Sequence, residues 1–482
     1  MKKFFKYLGI ILLLLIGIVL FRTFTFRSKQ IATSEAKNLN LNNSCVLHLQ
    51  KAIRFKTISY DDAALMDSSA FIGFQQFLVQ TYPLTFAQLS LERVNKLGLI
   101  LHWKGKSAKA KPIILMAHQD VVPAEEATLN KWDVAPFSGA IKNNMIYGRG
   151  AIDDKGSLIA ILESVELLLK QGFIPETDIY LVFGHDEEAS GLKGAKQMAQ
   201  LFKDRKISPA FVLDEGGIIT EYKVPGLTKT ASVVGIAEKG YQTLNLKINI
   251  PGSHSSMPEK ETAIDEMAKA VVKLKENPFP VEFGTTVQNF LDYVGPEMPF
   301  VTKMAMANRW LFNPIIANTY SKTAAGNATI RTSMATTLFN AGVKENIIPG
   351  EAQATVNFRT QPGTTQKEVI AYVKKVIADD RIQITPKGEG NEPKQVANVD
   401  DDSFQYLQKT ISTIKKGMIV APYLALGASD GRYFGELTSQ VFRFIPFPDP
   451  EGFHGVNERI KIEDFKKGIG FYYELIKNYE AK

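Results

Sequence analysis

An apolar run from Ile113 to Ala117 ends abruptly in His118 and, two residues on, Asp120. A run with no polar alternation reads as a strand buried on both faces, which occurs in parallel sheets covered by helices. It points to an α/β layer architecture and puts the residues after it at the carboxyl edge, where open α/β sheets hold their ligands. Residues i and i+2 of an extended chain point the same way, so Asp120 is in reach of the His118 ring nitrogen that a metal would leave free. Taken alone, the pair is equally a histidine and an aspartate on a polar loop.

The following segments repeat the pattern. Leu99–Trp103 and Pro112–Ala117 are predicted strands, Gly156–Lys170 is a strongly amphipathic helix stopped by Gly172 and Pro175, and Ile179–Phe183 and Phe211–Leu213 are short strands ending in acidic residues. Near Gly240 the texture changes. Thr243–Ile250 alternates, as do Ala352, Ala354, Val356 and Phe358, and each alternating stretch is followed by a predicted helix, Thr262–Glu276 and Gln366–Ala378. That describes an antiparallel sheet with one covered face, a separate α+β unit. Pro278–Thr329, rich in Phe, Pro, Asn and Met, receives no element assignment. After about Glu389 the pattern returns to that of the first unit, with a helix over Ser403–Lys415 and strands near Met418 and Phe442. The predicted divisions are 1–27, 28–43 (a polar linker), 44–239, 240–389 and 390–482.

Tyr7–Phe21 is apolar or glycine throughout and, with Phe4 and Phe5, approaches the ~20 residues that cross a bilayer. It is a signal peptide or a signal anchor. The lack of a small-x-small cleavage site after Phe21 favours retention. Lys2, Lys3 and Lys6 ahead of the run favour a cytoplasmic amino terminus and a body outside the cytoplasm, periplasmic or extracellular, and secreted if the segment is cleaved. The first thirty residues hold six basic and no acidic side chains, so only about +1 of the formal net +7 belongs to the body. The basic balance therefore gives no support for nucleic-acid binding. The single cysteine, Cys45, makes no internal disulfide and has no metal-ligand spacing around it.

Acidic clusters accumulate at the predicted strand ends. Gly148-Arg149-Gly150-Ala151-Ile152-Asp153-Asp154-Lys155-Gly156 sets carboxylates before a helix, Gly184-His185-Asp186-Glu187-Glu188 ends the next strand, and Leu213-Asp214-Glu215-Gly216-Gly217 ends the one after. Phe453-His454-Gly455-Val456-Asn457-Glu458 brings a second histidine. So much like charge on one rim repels itself unless cations bind there. Two histidines and several carboxylates without a thiolate suit two divalent ions, zinc first, with cobalt and manganese as alternatives.

In order and wording these five motifs resemble the zinc aminoacylase/carboxypeptidase metallopeptidases, the family of acetylornithine deacetylase, succinyl-diaminopimelate desuccinylase and carboxypeptidase S. They are most similar to the branch of carboxypeptidase S and the N-fatty-acyl-amino-acid synthase/hydrolases, over about residues 45–482. The resemblance implies an α/β catalytic domain with a mostly parallel sheet, in two parts (44–239 and 390–482). It also implies an inserted α+β lid and dimerisation domain (240–389) behind an N-terminal transmembrane segment. It implies metal ligands His118, Asp153, Glu188, Asp214 and His454, with Asp153 shared, Asp120 orienting His118 and Glu187 as general base. Asp154 is expected to cap the following helix. His254, in Gly252-Ser253-His254, is expected to reach the reacting carbonyl, often in a partner subunit's site; Asn346 and Arg359 resemble the substrate-binding strand region, with Arg359 a fork for a substrate carboxylate. The Ala428-Ser429-Asp430-Gly431-Arg432 loop lies near the substrate, with no role assigned. The expected reaction is metal-assisted hydrolysis of N-acyl amino acids, with a fatty acyl group among the candidates, or of small peptides in the manner of a carboxypeptidase S-like dipeptidase. The non-enzymatic alternative is a catalytically silent, membrane-tethered binding protein.

Overall fold

A computed structural model describes residues 1–482 except 38, 108, 222–223, 389, 393–394, 450 and 481–482. Its centre is the apolar run. The strand Ile113–His118 is buried at every position and runs parallel to Ile179–Gly184 on one side and Phe211–Asp214 on the other. Val441–Arg443 extends the parallel order beside Phe211–Asp214, and Ala231–Glu238 pairs in parallel with Ile419–Ala425. An antiparallel pair, Ser90–Val94 and Gly98–Trp103, closes the far edge of this mixed, mostly parallel nine-stranded sheet.

The run lacks alternation because both faces are covered. Ile113, Leu115 and Ala117 pack with Leu158 and Ile161 of the helix Lys155–Lys170 and with Ile469 of Ile462–Lys477. Ile114 and Met116 face the other way, onto Met198 and Phe202 of Ala195–Asp204. Each such side chain stabilises the fold by about 1.5–3 kcal/mol on burial. The start of Lys155–Lys170 is held from below: fully buried Lys155 donates from Nζ to the Ala52 and Phe55 carbonyls (3.1 and 2.6 Å) at the end of the helix Ser44–Arg54. A cation there satisfies carbonyls that a helix end leaves open. Burial lowers its pKa to about 7.

The alternating sequences form a second, antiparallel sheet in the order Ser333–Ala341, Glu351–Thr360, Gly240–Asn249, Gln383–Pro386. Its inward positions Leu244, Leu246, Ala354, Val356 and Phe358 pack with Met267 of Ala263–Glu276 and Val373 of Gln366–Ile377. Glu389, where the chain is expected to return to the first unit, lies outside the described residues, and from Ala397 and Val399 onward the chain joins the core of the first sheet.

Two stretches behave differently from their sequence reading. Residues 278–329 contain the helices Thr285–Val294, Phe300–Ala307, Arg309–Ser321 and Ala324–Thr329. Pro296, Pro299 and Pro314 cut their periodicity into pieces too short to recognise. A division at 240 and 389 groups them with the second unit, yet Phe290, Leu291, Val294, Met306 and Ile316 join the core of the first sheet. The segment expected to be a free tether is strapped to the edge strand Ile419–Ala425. Gln30 accepts the Val420 amide (2.9 Å) and donates to the Val420 carbonyl (3.1 Å), while Thr33 and Ala36 bond to the Ser412 and Thr413 carbonyls. The side chain thus closes the open ladder groups of an edge strand. Ahead of it, Lys2–Thr25 is one apolar helix long enough to cross a membrane.

Candidate metal centre

Three chain segments far apart in sequence meet on Asp153. Its Oδ1 lies 2.8 Å from His118 Nε2, and its Oδ2 lies 2.7 Å from His454 Nε2. His454 Nε2 is also 3.2 Å from Glu188 Oε2, and the ligand atoms of His118, Asp153 and Glu188 fall within 4.8 Å of one another. Hydrogen bonds that the ring donates to the Asp153 and Glu188 carboxylates raise the pKa of His454 to about 10. Carboxylates that hold a proton on this ring are equally placed to hold a cation beside it.

His118 is the last residue of its strand, and Glu187 and Glu188 lie in the short turn Glu187–Ala189 directly after Ile179–Gly184. Asp153 immediately precedes the helix begun by Asp154. His454 arrives on a loop that Glu458 ties down. The buried Glu458 carboxylate accepts from Arg149 Nη1 (2.7 Å) and from the Ile152 and Asp153 amides (2.9 and 3.2 Å), while Arg149 also donates to the Gly455 carbonyl (3.0 Å). Gly452 turns this loop at φ +77°, where a Cβ would lie 2.5 Å from the Glu458 amide nitrogen. Only glycine fits there.

Asp120 supports His118 differently from the sequence reading. Its main-chain carbonyl lies 2.9 Å from His118 Nδ1, whereas the carboxylate Oδ1 is 3.4 Å away. The other carboxylate oxygen is engaged by Ser59 Oγ (2.6 Å) and the Glu188 amide (3.1 Å). The ring is therefore oriented by backbone, and the carboxylate links the His118 strand to the Glu187–Glu188 turn. Asp154 occupies the N-cap position but its side chain makes no capping bond; both of its buried oxygens lack a partner.

The strand end at Asp214 divides two neighbours. Asp214 Oδ2 accepts the Gly431 amide (2.5 Å), fastening the 429–431 loop. Glu215 lines the cleft with Asp153, Glu187, Glu188 and His454, and burial together with the negative charge of Asp153 and Glu187 pushes its carboxyl well above the ordinary range. Glu187 is raised likewise by burial and by Asp430 close by, and its Oε1 lies 3.8 Å from Arg432 Nη1. Glu215, Arg432, Asp430 and Glu458 are thus part of the site although the sequence assigned none of them a role.

The cleft holds about 990 Å³ and is lined further by Tyr241, Leu192, Leu426, Tyr433, Phe453 and Arg359. The Arg359 guanidinium stacks 4.8 Å over Tyr241 and has no carboxylate partner among the described residues. Arg443, by contrast, is committed to Glu238 at 2.6 Å. Neither His254 nor Asn346 lines this cleft. They sit together on an exposed tip of the second unit, where the pairs Ser253–His254 and Ile347–Ile348 form a two-stranded sheet and the Asn346 carbonyl accepts from Ser255 (3.2 Å). The Phe- and Met-rich stretch 278–329 also stays out of the cleft. Of the remaining histidines, half-buried His48 pairs with Glu163, half-buried His102 pairs with Asp178, and buried His185 is packed.

The model of peptidase family M20/M25/M40 matches residues 114–478. The chain is 41% identical over 485 residues to a probable carboxypeptidase S-like protein 2 of Dictyostelium discoideum, covering 97% of this chain and 93% of that one. It is 37% identical over 443 residues to the N-fatty-acyl-amino acid synthase/hydrolase PM20D1 of Homo sapiens, covering 90% and 87%. In fold it is similar to the M20 family metallo-carboxypeptidase Sso-CP2 of Sulfolobus solfataricus, with a TM-score of 0.67 at 19% identity over 90% of this chain and 99% of that one.

Proposed function

The chain belongs to peptidase family M20/M25/M40 and is a metal-dependent amidohydrolase of that family, and from this premise we propose that it cleaves the amide bond of N-acyl amino acids that carry a free carboxylate. The observation that carries the reading is the single carboxylate, Asp153, facing two histidines from its two oxygens. A group with one oxygen toward each of two imidazoles suits a pair of divalent ions. The buried Glu188 Oε1, which has no partner, offers a further ligand atom. Imidazole and carboxylate donors without a thiolate favour Zn²⁺, with Co²⁺ and Mn²⁺ as alternatives.

His118, Asp153, Glu188 and His454 would hold the ions. Bound there, they would supply an acidified water and polarise the scissile carbonyl. Glu187 takes the proton of the attacking water on its carboxylate and returns it to the departing amine nitrogen, the two transfers a general base and acid must make in amide hydrolysis. Arg359, which has no carboxylate partner among the described residues, receives the substrate carboxylate through its fork. For the remaining ligand we favour Glu215 over Asp214, because Glu215 lines the cleft and Asp214 is occupied with the Gly431 amide. Glu215→Gln is then expected to weaken one of the two ions by more than about tenfold in a metal titration. Asp214→Asn should leave that titration unchanged and lower Tm, since it disturbs a buried hydrogen bond worth about 1–3 kcal/mol. The reverse order of effects would restore Asp214 as the ligand.

A fatty acyl group is favoured by likeness to the human N-fatty-acyl-amino acid synthase/hydrolase; the Phe-rich stretch contributes nothing to that argument because it lies outside the cleft. The alternative substrate is a dipeptide, in line with the carboxypeptidase S-like relative. Hydrolysis of oleoyl-, acetyl- and aminoacyl-amino acids, abolished by chelator and restored by Zn²⁺, distinguishes them: turnover fastest for the oleoyl substrate is expected, and no turnover of any of them would leave the binding-protein alternative.

Lys2–Thr25 is read as a retained anchor that keeps the body outside the cytoplasm. His254 and Asn346, remote from the cleft of their own chain, fit a role in the cleft of a second copy, with residues 240–389 serving as lid and dimerisation unit.

A further inference from the structure

The anchor helix is fastened to the body. Asn308 Nδ2 donates to the Val19 carbonyl (3.1 Å), Arg22 Nε donates to the Ala307 carbonyl (3.2 Å), and Phe24 packs on Phe300 with ring centroids 5.8 Å apart. Val19 and Thr23 are buried, whereas only 6% of the helix's most apolar window is buried. Lys2–Ile18, which stands clear, is about 26 Å long at 1.5 Å per residue, close to the ~30 Å hydrocarbon core of a bilayer. Directly after the helix, Gln30 and Thr33 strap the chain to the body. Docked helix and strap together fix which face of the protein meets the membrane.

That face is apolar where water would disfavour it. Phe300, Val301, Trp310, Leu311 and Ile315 are 50%, 70%, 54%, 41% and 61% exposed. Within Arg309–Ser321, Ile316 and Tyr320 turn to the core, and Trp310, Leu311 and Ile315 form a second apolar strip on the outside. A helix apolar on both sides needs a second apolar surrounding. From Met298 to Arg331 the chain carries four basic residues and no acidic one; Arg309 is paired with Asp292 and Arg331 bonds to Phe279 and Ser321, which leaves Lys303 and Lys322 to meet anionic headgroups.

We propose that the helix pair Phe300–Ala307 and Arg309–Ser321 is a second membrane contact, lying in the headgroup and upper acyl layer of the leaflet from which the anchor emerges. Trp310 and Phe300 act as interfacial aromatics, and the body is held against the bilayer in one orientation. The inference rests on the reading of Lys2–Thr25 as a retained spanning helix.

Trp310 reports on it directly, because the other two tryptophans, Trp103 and Trp132, are 5% and 9% exposed. The full chain is reconstituted in phosphatidylcholine/phosphatidylglycerol vesicles with and without brominated-acyl phosphatidylcholine, and the Trp310 contribution is taken as the difference from Trp310→Phe. Bromolipid is expected to quench most of that contribution. The double variant Val301→Glu/Ile315→Glu should lose the quenching while staying carbonate-resistant and hydrolysing a soluble substrate at an unchanged rate. A carbonate-resistant chain whose Trp310 is unquenched overturns the inference and leaves the anchor intact. A chain stripped by carbonate but quenched while bound sinks the anchor reading and keeps the contact; stripped and unquenched, both fall. Disulfide cross-linking of Trp310→Cys between two copies, with no quenching, would assign the face to a dimer and overturn the proposal.

Discussion

Glu187→Gln is expected to lower kcat by about 100- to 10,000-fold, the range that removal of a positioned general base produces, while metal content and Tm stay at wild-type values. Glutamine keeps the volume and one acceptor oxygen of the side chain but cannot take a proton. Glu187 sits in a turn fixed at both ends: the strand Ile179–Gly184 precedes it, and Asp120 accepts the amide of the next residue, Glu188, at 3.1 Å. The substitution therefore has no route to the fold through lost backbone contacts. The side chain is 11% exposed, and desolvation with Asp430 nearby already disfavours its charge, so a neutral replacement removes no stabilising ion pair of consequence; Arg432 lies at 3.8 Å and keeps its bonds to the Ser429 and Ser190 carbonyls. Metal analysis alongside steady-state kinetics checks the result. Wild-type turnover would remove Glu187 from the chemistry, and loss of metal would make it a ligand.

Much of the centre was legible because strand ends are legible. Ile113–Ala117 has no alternation, so its burial on both faces and the emergence of His118 at the rim follow from pattern alone, and Ile179–Phe183 delivers Glu187 and Glu188 in the same way. Parity set the limit. Successive side chains of a strand point to opposite faces, but Asp214 ends its strand and Glu215 lies just past it, so nothing in Leu213-Asp214-Glu215-Gly216 says which one faces the cleft. Asp214 accepts the amide of Gly431, 217 positions away, while Glu215 lines the cleft, and the paired metal titrations of Glu215→Gln and Asp214→Asn test which of them is the ligand. The same holds for Asp120, whose backbone, not its carboxylate, meets His118 because Ser59 and the Glu188 amide claim the side chain. Glu458 looked like the tail of a histidine motif; its work on the Asp153 amide appears only when residues 305 positions apart are brought together.

The fold followed a similar rule. Long amphipathic helices and alternating strands announced themselves, whereas the proline-cut helices between residues 285 and 329 did not, and their packing with Ile419–Ala425 divides the chain differently from a reading by contiguous blocks. Polar composition suggested a loose tether over 28–43, yet polar side chains such as Gln30 serve equally well to satisfy the edge of a sheet. Composition alone does not separate solvated from bonded polarity.

Asp153→Asn should remove more function than any other single change. The carboxylate meets His118 with one oxygen at 2.8 Å and His454 with the other at 2.7 Å, and these rings come from opposite ends of the chain's order. An amide has one acceptor oxygen; its other terminus is an NH₂ donor, which cannot ligate a cation. One half of the bridge is lost whichever way the side chain turns, and the negative charge shared by both positions is lost with it. Changes in residues that merely support a ligand cost about 10- to 100-fold in metal affinity, so if Asp153 is the shared ligand proposed above, its removal is expected to cost more than about 100-fold at both positions and to bring turnover to background. The backbone has independent support, since Glu458 accepts the Asp153 amide and Arg149 holds Glu458, so the circular dichroism spectrum should be that of the parent. Metal titration followed by dialysis against a weak chelator reads the outcome. Retention of two ions would show that Asp153 does not bridge them, and retention of one would confine it to a single position.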